Sequence, residues 1–336
     1  LTLVEHALCP LDARGSSSDQ LSHETSFSFT DKERNRRSGR VRVFCPLGLS
    51  PQDEFFIWGL LALTLADESS DGELHATRHY LLRRLGVVTP GSRRGGRQYQ
   101  AFSQAIDRIA AVQYFNDSFY DPIRSEHIRV NFKFFSYSIP VDLNSSRAWR
   151  IVWDPVFFSF ARAARGALRF DIEIYRKLSA ASRRLYLFAA KLLFQREKTF
   201  PIQVRELVSN VLGYSVSLRP FEQNARLRSC IKELSEFGIL HPEATRIEKR
   251  SKGRYCVVLA RGKALKRRRP MLELDSPLFE PLLEIGLNES GAHHILAKFP
   301  TPMVREWIDI TLAAKERFGM KYFRSSPAAY LRYSLN

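Results

Sequence analysis

The chain has 336 residues, room for two or three domains, and its 44% apolar content, with 24 Phe, can fill sizeable cores. A net charge of +17 and a pI near 10.0 point to a polyanionic partner, because such a surplus draws phosphates in at long range. No run approaches the roughly 18 apolar residues of a membrane span. No basic stretch followed by an apolar core marks a secretory leader, so a cytoplasmic location and no membrane partner are expected.

Cys9, Cys45, Cys230 and Cys256 include no CxxC pair, and Cys230 in a predicted helix and Cys256 in a predicted strand read as small core side chains, which fits a reducing compartment rather than a disulfide scaffold. No cofactor or metal is expected.

In chain order, residues 1–45 are rich in Ser, Arg and Asp and read as a mobile basic tail. Its KERNRRSGR run, Lys32–Arg40, is suited either to lying along DNA or to a solvated arm. Residues 46–145 predict three helices and a hairpin. The helices run from Pro51 to about Ala66, from about Thr77 to Leu85 before Gly86, and from about Arg97 to Val112. Two extended segments follow, Tyr114–Tyr120 and Ile128–Ile139, the second alternating Val130, Phe132 and Phe134 against Asn131 and Lys133. Helix, helix, helix, hairpin is the order of a winged helix.

The order recurs over residues 146–269. Trp149–Trp153 reads as a strand and is followed by an apolar helix to Ala164 that packs the units together. Helices are then predicted over Asp171–Gln195, about Gln203–Leu212 and about Arg219–Phe237. Thr245–Arg250 and Arg254–Arg261 form a hairpin around Ser251-Lys252-Gly253. Leu212-Gly213 answers Leu85-Gly86 at 127 residues' distance, too long a period for a solenoid, so two related domains in tandem are expected. The Lys263–Arg269 run and Pro270 read as a linker to a helical region over 270–336, including about Pro277–Leu287 and Met303–Phe318. The fold class is α+β, mainly α: two tandem winged-helix domains and a small C-terminal helical region.

The third helix of each unit carries the chemistry. In the first, Tyr99, Phe102, Ile106 and Ile109 share one face, and Arg97, Gln100, Gln104 and Arg108 the other. Arg reads guanine and Gln reads adenine through paired hydrogen bonds in the major groove. An ordinary solvated face has the same pattern. In the second, Leu227, Ile231, Leu234 and Phe237 face inward and Arg228, Ser229 and Lys232 outward, flanked by Arg219, Asn224 and Arg226. The basic half is N-terminal, the half with which recognition helices meet bases.

Arg246, Lys249, Arg250, Lys252 and Arg254 crowd the second hairpin, as a phosphate-seeking wing or as charge that protects a strand edge. The loop Gly91–Arg97, with Arg93 and Arg94, offers backbone N–H groups and guanidinium groups to phosphate but lacks the Lys-Ser/Thr ending of a P-loop.

Catalytic signatures are missing. His75 and His79 in HATRH have zinc-like spacing without the adjacent Glu or a third ligand. His293-His294 do not match a His-apolar-His site, and neither GxSxG nor GxGxxG occurs. The 12 Tyr leave a tyrosine nucleophile open by count alone. Most aromatic residues fall at core spacing, which argues against a stacking platform for single strands. The expectation is a DNA-binding protein, not an enzyme. A transcription regulator with the same modules is the alternative, and a nickase or primase the third reading.

Three segments carry a resemblance: PQDEFFIWGLLALTL at Pro51–Leu65, LRFDIEIYRKLSAASRRLYLFAAKLL at Leu168–Leu193 and FEQNARLRSCIKELSEFGIL at Phe221–Leu240. With GAHHILAKFPTPMVREWID at Gly291–Asp309, they resemble the RepA-type plasmid replication initiators over roughly residues 46–336. The resemblance implies tandem winged helices on double-stranded DNA, repeated sites at an origin, melting of an AT-rich stretch and recruitment of host replication proteins. It also implies a homodimer that represses its own promoter in some members. Residues 1–45 have no counterpart in it.

Overall fold

The computed structural model describes residues 2–11, 20–31, 35–66, 71–88, 96–121, 124, 126–141, 147–163, 170–194, 196–265 and 278–335. The chain divides into two compact units, Leu1–Lys266 and Arg267–Asn336.

The first unit opens with a 3-10 turn, Thr2–Glu5, whose Leu3 and Val4 are buried. Leu21–Thr30 (β1) and Arg36–Cys45 (β2) pair antiparallel over ten residues. The expected mobile tail is therefore corrected for these residues. The reason is a period-two apolar pattern: Val41, Val43 and Cys45 on β2, with Leu21, Thr25 and Phe27 on β1, bury one face of the pair. The basic run at Lys32–Arg40 lies partly outside the described residues. Within it, Arg36, Arg37 and Arg40 pair with Glu206, Asp31 and Glu24.

Pro51–Ala66 (α1) is buried on most sides, as its unbroken apolar run requires. Glu73–Ala76 (β3), Arg78–Arg84 (α2) and Gly96–Ala110 (α3) follow. Thr77 Oγ1 accepts from Tyr80 N at 3.2 Å, satisfying an orphan donor at the start of α2. Gly86, at φ 66, turns the chain after Leu85.

Four strands follow: Gln113–Asp121 (β4), Glu126–Phe132 (β5), Phe135–Ser138 (β6) and Trp149–Trp153 (β7). Here the structure corrects a second expectation. The hairpin β4–β5 is not the wing. It extends the N-terminal pair into a sheet of order β1-β2-β4-β5, where Val43 and Val41 oppose the buried Tyr114 and Asn116. The wing is β6–β7, in the sheet β3-β7-β6. A domain boundary between residues 145 and 146 would cut this hairpin.

Pro155–Ala163 (α4) buries Phe157, Phe158 and Phe160. The long helix expected over 171–195 is two, Ile172–Lys177 (α5) and Ala180–Leu192 (α6). Leu178 is extended (ψ 150) and Ser179 Oγ accepts from Ser182 N, so a competing cap breaks the helix. Then come Ile202–Gln203 (β8), Val204–Glu206 (α7) widening into a π-turn over Leu207–Val211, and Pro220–Glu236 (α8). Arg246–Ser251 (β9) and Arg254–Val258 (β10) complete a sheet of order β8-β10-β9.

The two winged helices are thus one plan used twice. Helices α1, α2, α3 correspond to α6, α7, α8, strands β3, β7, β6 to β8, β10, β9, and Gly213 repeats the positive φ of Gly86. Both lie in one compact unit, pinned by a buried ion pair. Arg184 on α6 donates to both carboxylate oxygens of Glu54 on α1, at 2.8 and 2.6 Å, and to the carbonyl of Leu212 at 2.6 Å. Burial works against the Arg184 charge, but Glu54 more than offsets it and raises the guanidinium pKa. The N-terminal segment crosses both halves: Ala7 N donates to Asn210 O, Leu11 N to Gly213 O, and His6 Nε2 lies 2.8 Å from Tyr114 Oη.

The second unit contains Phe279–Glu284 (α9), Glu289–Lys298 (α10), Thr301–Phe318 (α11) and Pro327–Leu335 (α12). Its own core includes Leu282, Ile295, Val304, Ile308 and Leu331. Residues 278–335 hold seven Lys and Arg against six Asp and Glu, so nearly all of the chain's +17 lies elsewhere.

Candidate nucleic-acid interface

Helix α8 begins at Pro220, where a missing N–H costs nothing, and Arg219 N donates to Glu222 Oε2 at 2.8 Å. Leu227, Cys230 and Leu234 bury its inner face. Glu233 holds the helix against the start of α6, accepting from Ser179 N at 2.7 Å, Ser179 Oγ at 2.8 Å and Ser182 Oγ at 2.5 Å. That leaves Arg226, Arg228, Ser229 and Lys232 exposed, with Arg219 exposed just before the helix. Asn224 departs from the expected outward position. It is 8% exposed, on the side of Leu227, and its Oδ1 has no partner among the described residues.

On the neighbouring wing, Lys249, Arg250, Lys252 and Arg254 are exposed, and Gly253 (φ 74) makes the two-residue turn between the strands. Arg250 and Arg246 both pair with Glu248, at 3.0 and 2.6 Å. Between helix and wing runs an open groove of about 520 Å³, lined by Arg228, Ile231, Lys232, Ser235, Glu236, Pro242, Thr245 and Ile247. Its two cations, Arg228 and Lys232, outnumber its one carboxylate, Glu236, and all three come from α8.

Helix α3 turns Phe102, Ile106 and Ile109 inward and leaves Arg97, Gln100 and Gln104 exposed. Arg108 is a correction. Its guanidinium forms a two-pronged bond to Asp53 on α1, Nε to Oδ2 at 2.9 Å and Nη2 to Oδ1 at 2.7 Å, and Asp53 is 0% exposed. The hydrogen bond to Asp53 raises the Arg108 pKa. A helical wheel cannot separate a cation facing solvent from one gripping a buried carboxylate on the flank of the same helix. Arg93 and Arg94 lie outside the described residues.

The HATRH histidines go separate ways. His75 Nε2 and Arg150 share Glu73, whose carboxyl they hold down at about 2, while His79 meets the Tyr99 hydroxyl. Among the described residues no group of three or more His, Cys, Asp and Glu could hold a metal, and no helix is long and apolar enough to cross a membrane. The sequence reading missed the cations flanking the first wing, exposed Arg147 and Arg150, because it placed that wing one hairpin too early.

The interface is therefore unequal. The second winged helix offers a cation-rich helix and wing; among the described residues the first offers Arg97 and two amides on α3, with Arg147 and the Glu73-bound Arg150 beside its wing. No protein-family model matches the chain, and no curated protein matches it. Among solved structures it is similar to domains 2 and 3 of RctB, at 15% identity and a TM-score of 0.51, over 77% of this chain and 98% of that one. At that identity the likeness is one of fold alone.

Proposed function

We propose that the protein is a sequence-specific, double-stranded-DNA-binding replication initiator that acts on repeated sites at a plasmid-type origin, in the cytoplasm and without catalysis of its own. The observation that carries this reading is the exposure of Arg226, Arg228 and Lys232 on α8 and of Lys249, Arg250, Lys252 and Arg254 on the wing, with Arg228 and Lys232 lining the groove that α8 shares with Thr245 and Ile247. The fold is shared with RctB, a replication initiator. The RepA-type resemblance supplies the finer elements: plasmid origin, duplex opening, host replication proteins and a homodimer. Two winged helices fixed in one unit fit a target whose two contact points have a set spacing, because linkage turns the second contact into an intramolecular one.

The test is binding-site selection from random duplexes, followed by gel-shift titration of the Arg228→Ala, Lys232→Ala double variant. Removing two phosphate contacts should weaken binding several-fold and lower the salt slope by about 2. Unchanged affinity removes α8 from the interface. Whether the gene with its flanking DNA sustains a replicon separates an initiator from a transcription regulator.

A further inference from the structure

Residues 278–335 are close to neutral, yet three of their seven cations, Arg317, Lys321 and Arg324, fall within the eight residues 317–324, which contain no acid. All three are exposed. The same stretch carries two exposed rings that stack on each other. Phe318 is 55% exposed and Tyr322 50%, with their centroids 5.2 Å apart and planes 19° from parallel. Tyr322 is braced from behind, edge-on, by Phe323 and Tyr330 at 5.3 and 6.1 Å. The Arg317 guanidinium lies over the Phe318 ring at 5.3 Å. Gly319, at φ 70 and with open space around its Cβ position, makes the sharp turn after α11 that sets the two rings together.

From this we infer that the 317–324 turn binds single-stranded nucleic acid, with unpaired bases stacking on the Phe318–Tyr322 pair and phosphates meeting the three cations. A half-exposed, pre-stacked ring pair offers a π-face, and a base in a duplex has none to give in return. Cations alternating with rings match the charge-and-base repeat of a single strand. An acidic peptide would use the cations but does not need parallel rings. Core spacing of most aromatics, which by itself argues against a stacking platform, says nothing about rings on a turn beyond a helix end.

The inference builds on the initiator reading by naming a second nucleic-acid form, and its test separates the two. The full chain is titrated, at a salt concentration where the Phe318→Ala, Tyr322→Ala variant still binds duplex normally, against a labelled 20-nucleotide oligo-dT and against the selected duplex. A 5-iodouracil oligonucleotide is photocrosslinked in parallel and the adduct mapped by mass spectrometry. Expected are a crosslink within 317–324, a loss of oligo-dT affinity of about 5-fold or more in the double Ala variant, since stacking contributes roughly 1–3 kcal/mol per base, and unchanged duplex affinity. Leu at both positions should lose affinity like Ala, whereas Phe318→Trp should retain it. Oligo-dT affinity that survives the ring removals, or crosslinks lying only outside 317–324, overturns the inference. So does retention by the Leu pair, which points to an apolar protein contact instead. If the Ala pair disturbs folding, seen by circular dichroism, the wild-type crosslink and the Trp variant decide. Loss of duplex binding alone, through Arg228→Ala and Lys232→Ala, bears on the initiator reading and leaves this one standing.

Discussion

In the first winged helix an arginine on α3 grips an aspartate on α1; in the second a glutamate on α8 grips two serines at the start of α6. The positions correspond. Asp53 and Ser182 are each the third residue of the first helix of their winged helix, and Arg108 and Glu233 each precede the last buried residue of the third, Ile109 and Leu234. One structural need, fixing the third helix against the first, is met with opposite charge signs. The consequence is on the outside. Helix α3 commits Arg108 to the fold and leaves Arg97, Gln100 and Gln104 facing solvent, while α8 spends a carboxylate inside and leaves Arg226, Arg228 and Lys232 outside.

The largest expected effect breaks what the two halves share. Glu54→Ala strands Arg184 in the interior, and losing one partner of a buried pair costs about 3–5 kcal/mol. Chemical denaturation should show it, and a change below about 1 kcal/mol would mean that the halves are held by apolar packing alone. Next, the two locks should differ in strength. Asp53→Ala removes a charged, two-pronged bond, worth about 1.5–3 kcal/mol per charged hydrogen bond, and Ser182→Ala leaves Glu233 its Ser179 contacts at a cost near 1 kcal/mol. Equal costs in urea melts would contradict the comparison.

On DNA the contrast runs the other way. The Arg228→Ala, Lys232→Ala variant should lose affinity on all sequences together with salt slope. Gln100→Ala with Gln104→Ala should relax base preference by about 1–3 kcal/mol per bidentate pair and leave the slope nearly unchanged. Parallel salt titrations on selected and scrambled duplexes distinguish these outcomes.

The smallest effect is a pH dependence. Burial holds His6 neutral, pushing its pKa from 6.5 down to about 3, and lowers His23 as well. The unfolded chain therefore takes up protons that the folded one refuses. Stability is full above pH 6.5 and falls as pH drops toward 3, by at most about 1.4 kcal/mol per pH unit for His6. The melting difference between wild type and His6→Gln should shrink between pH 7 and pH 5, and a constant difference would place His6 outside this linkage.

Much of this was legible locally. The apolar run marked α1 as buried, the apolar period gave α3 and α8 their inner faces, Leu85-Gly86 and Leu212-Gly213 announced the repeat, and the Lys-Gly turn marked the second wing. These are properties of neighbouring residues, and period and turn chemistry record them directly. Partners distant in sequence were decided only in three dimensions. Arg108 was drawn to Asp53 across 55 residues, and Asn224 was turned inward. The N-terminal strands and β4–β5 joined in one sheet, moving the first wing to β6–β7. Strand pairing and the burial of a charge depend on which surfaces meet, and a sequence read window by window carries the propensity of each strand but not the identity of its neighbour.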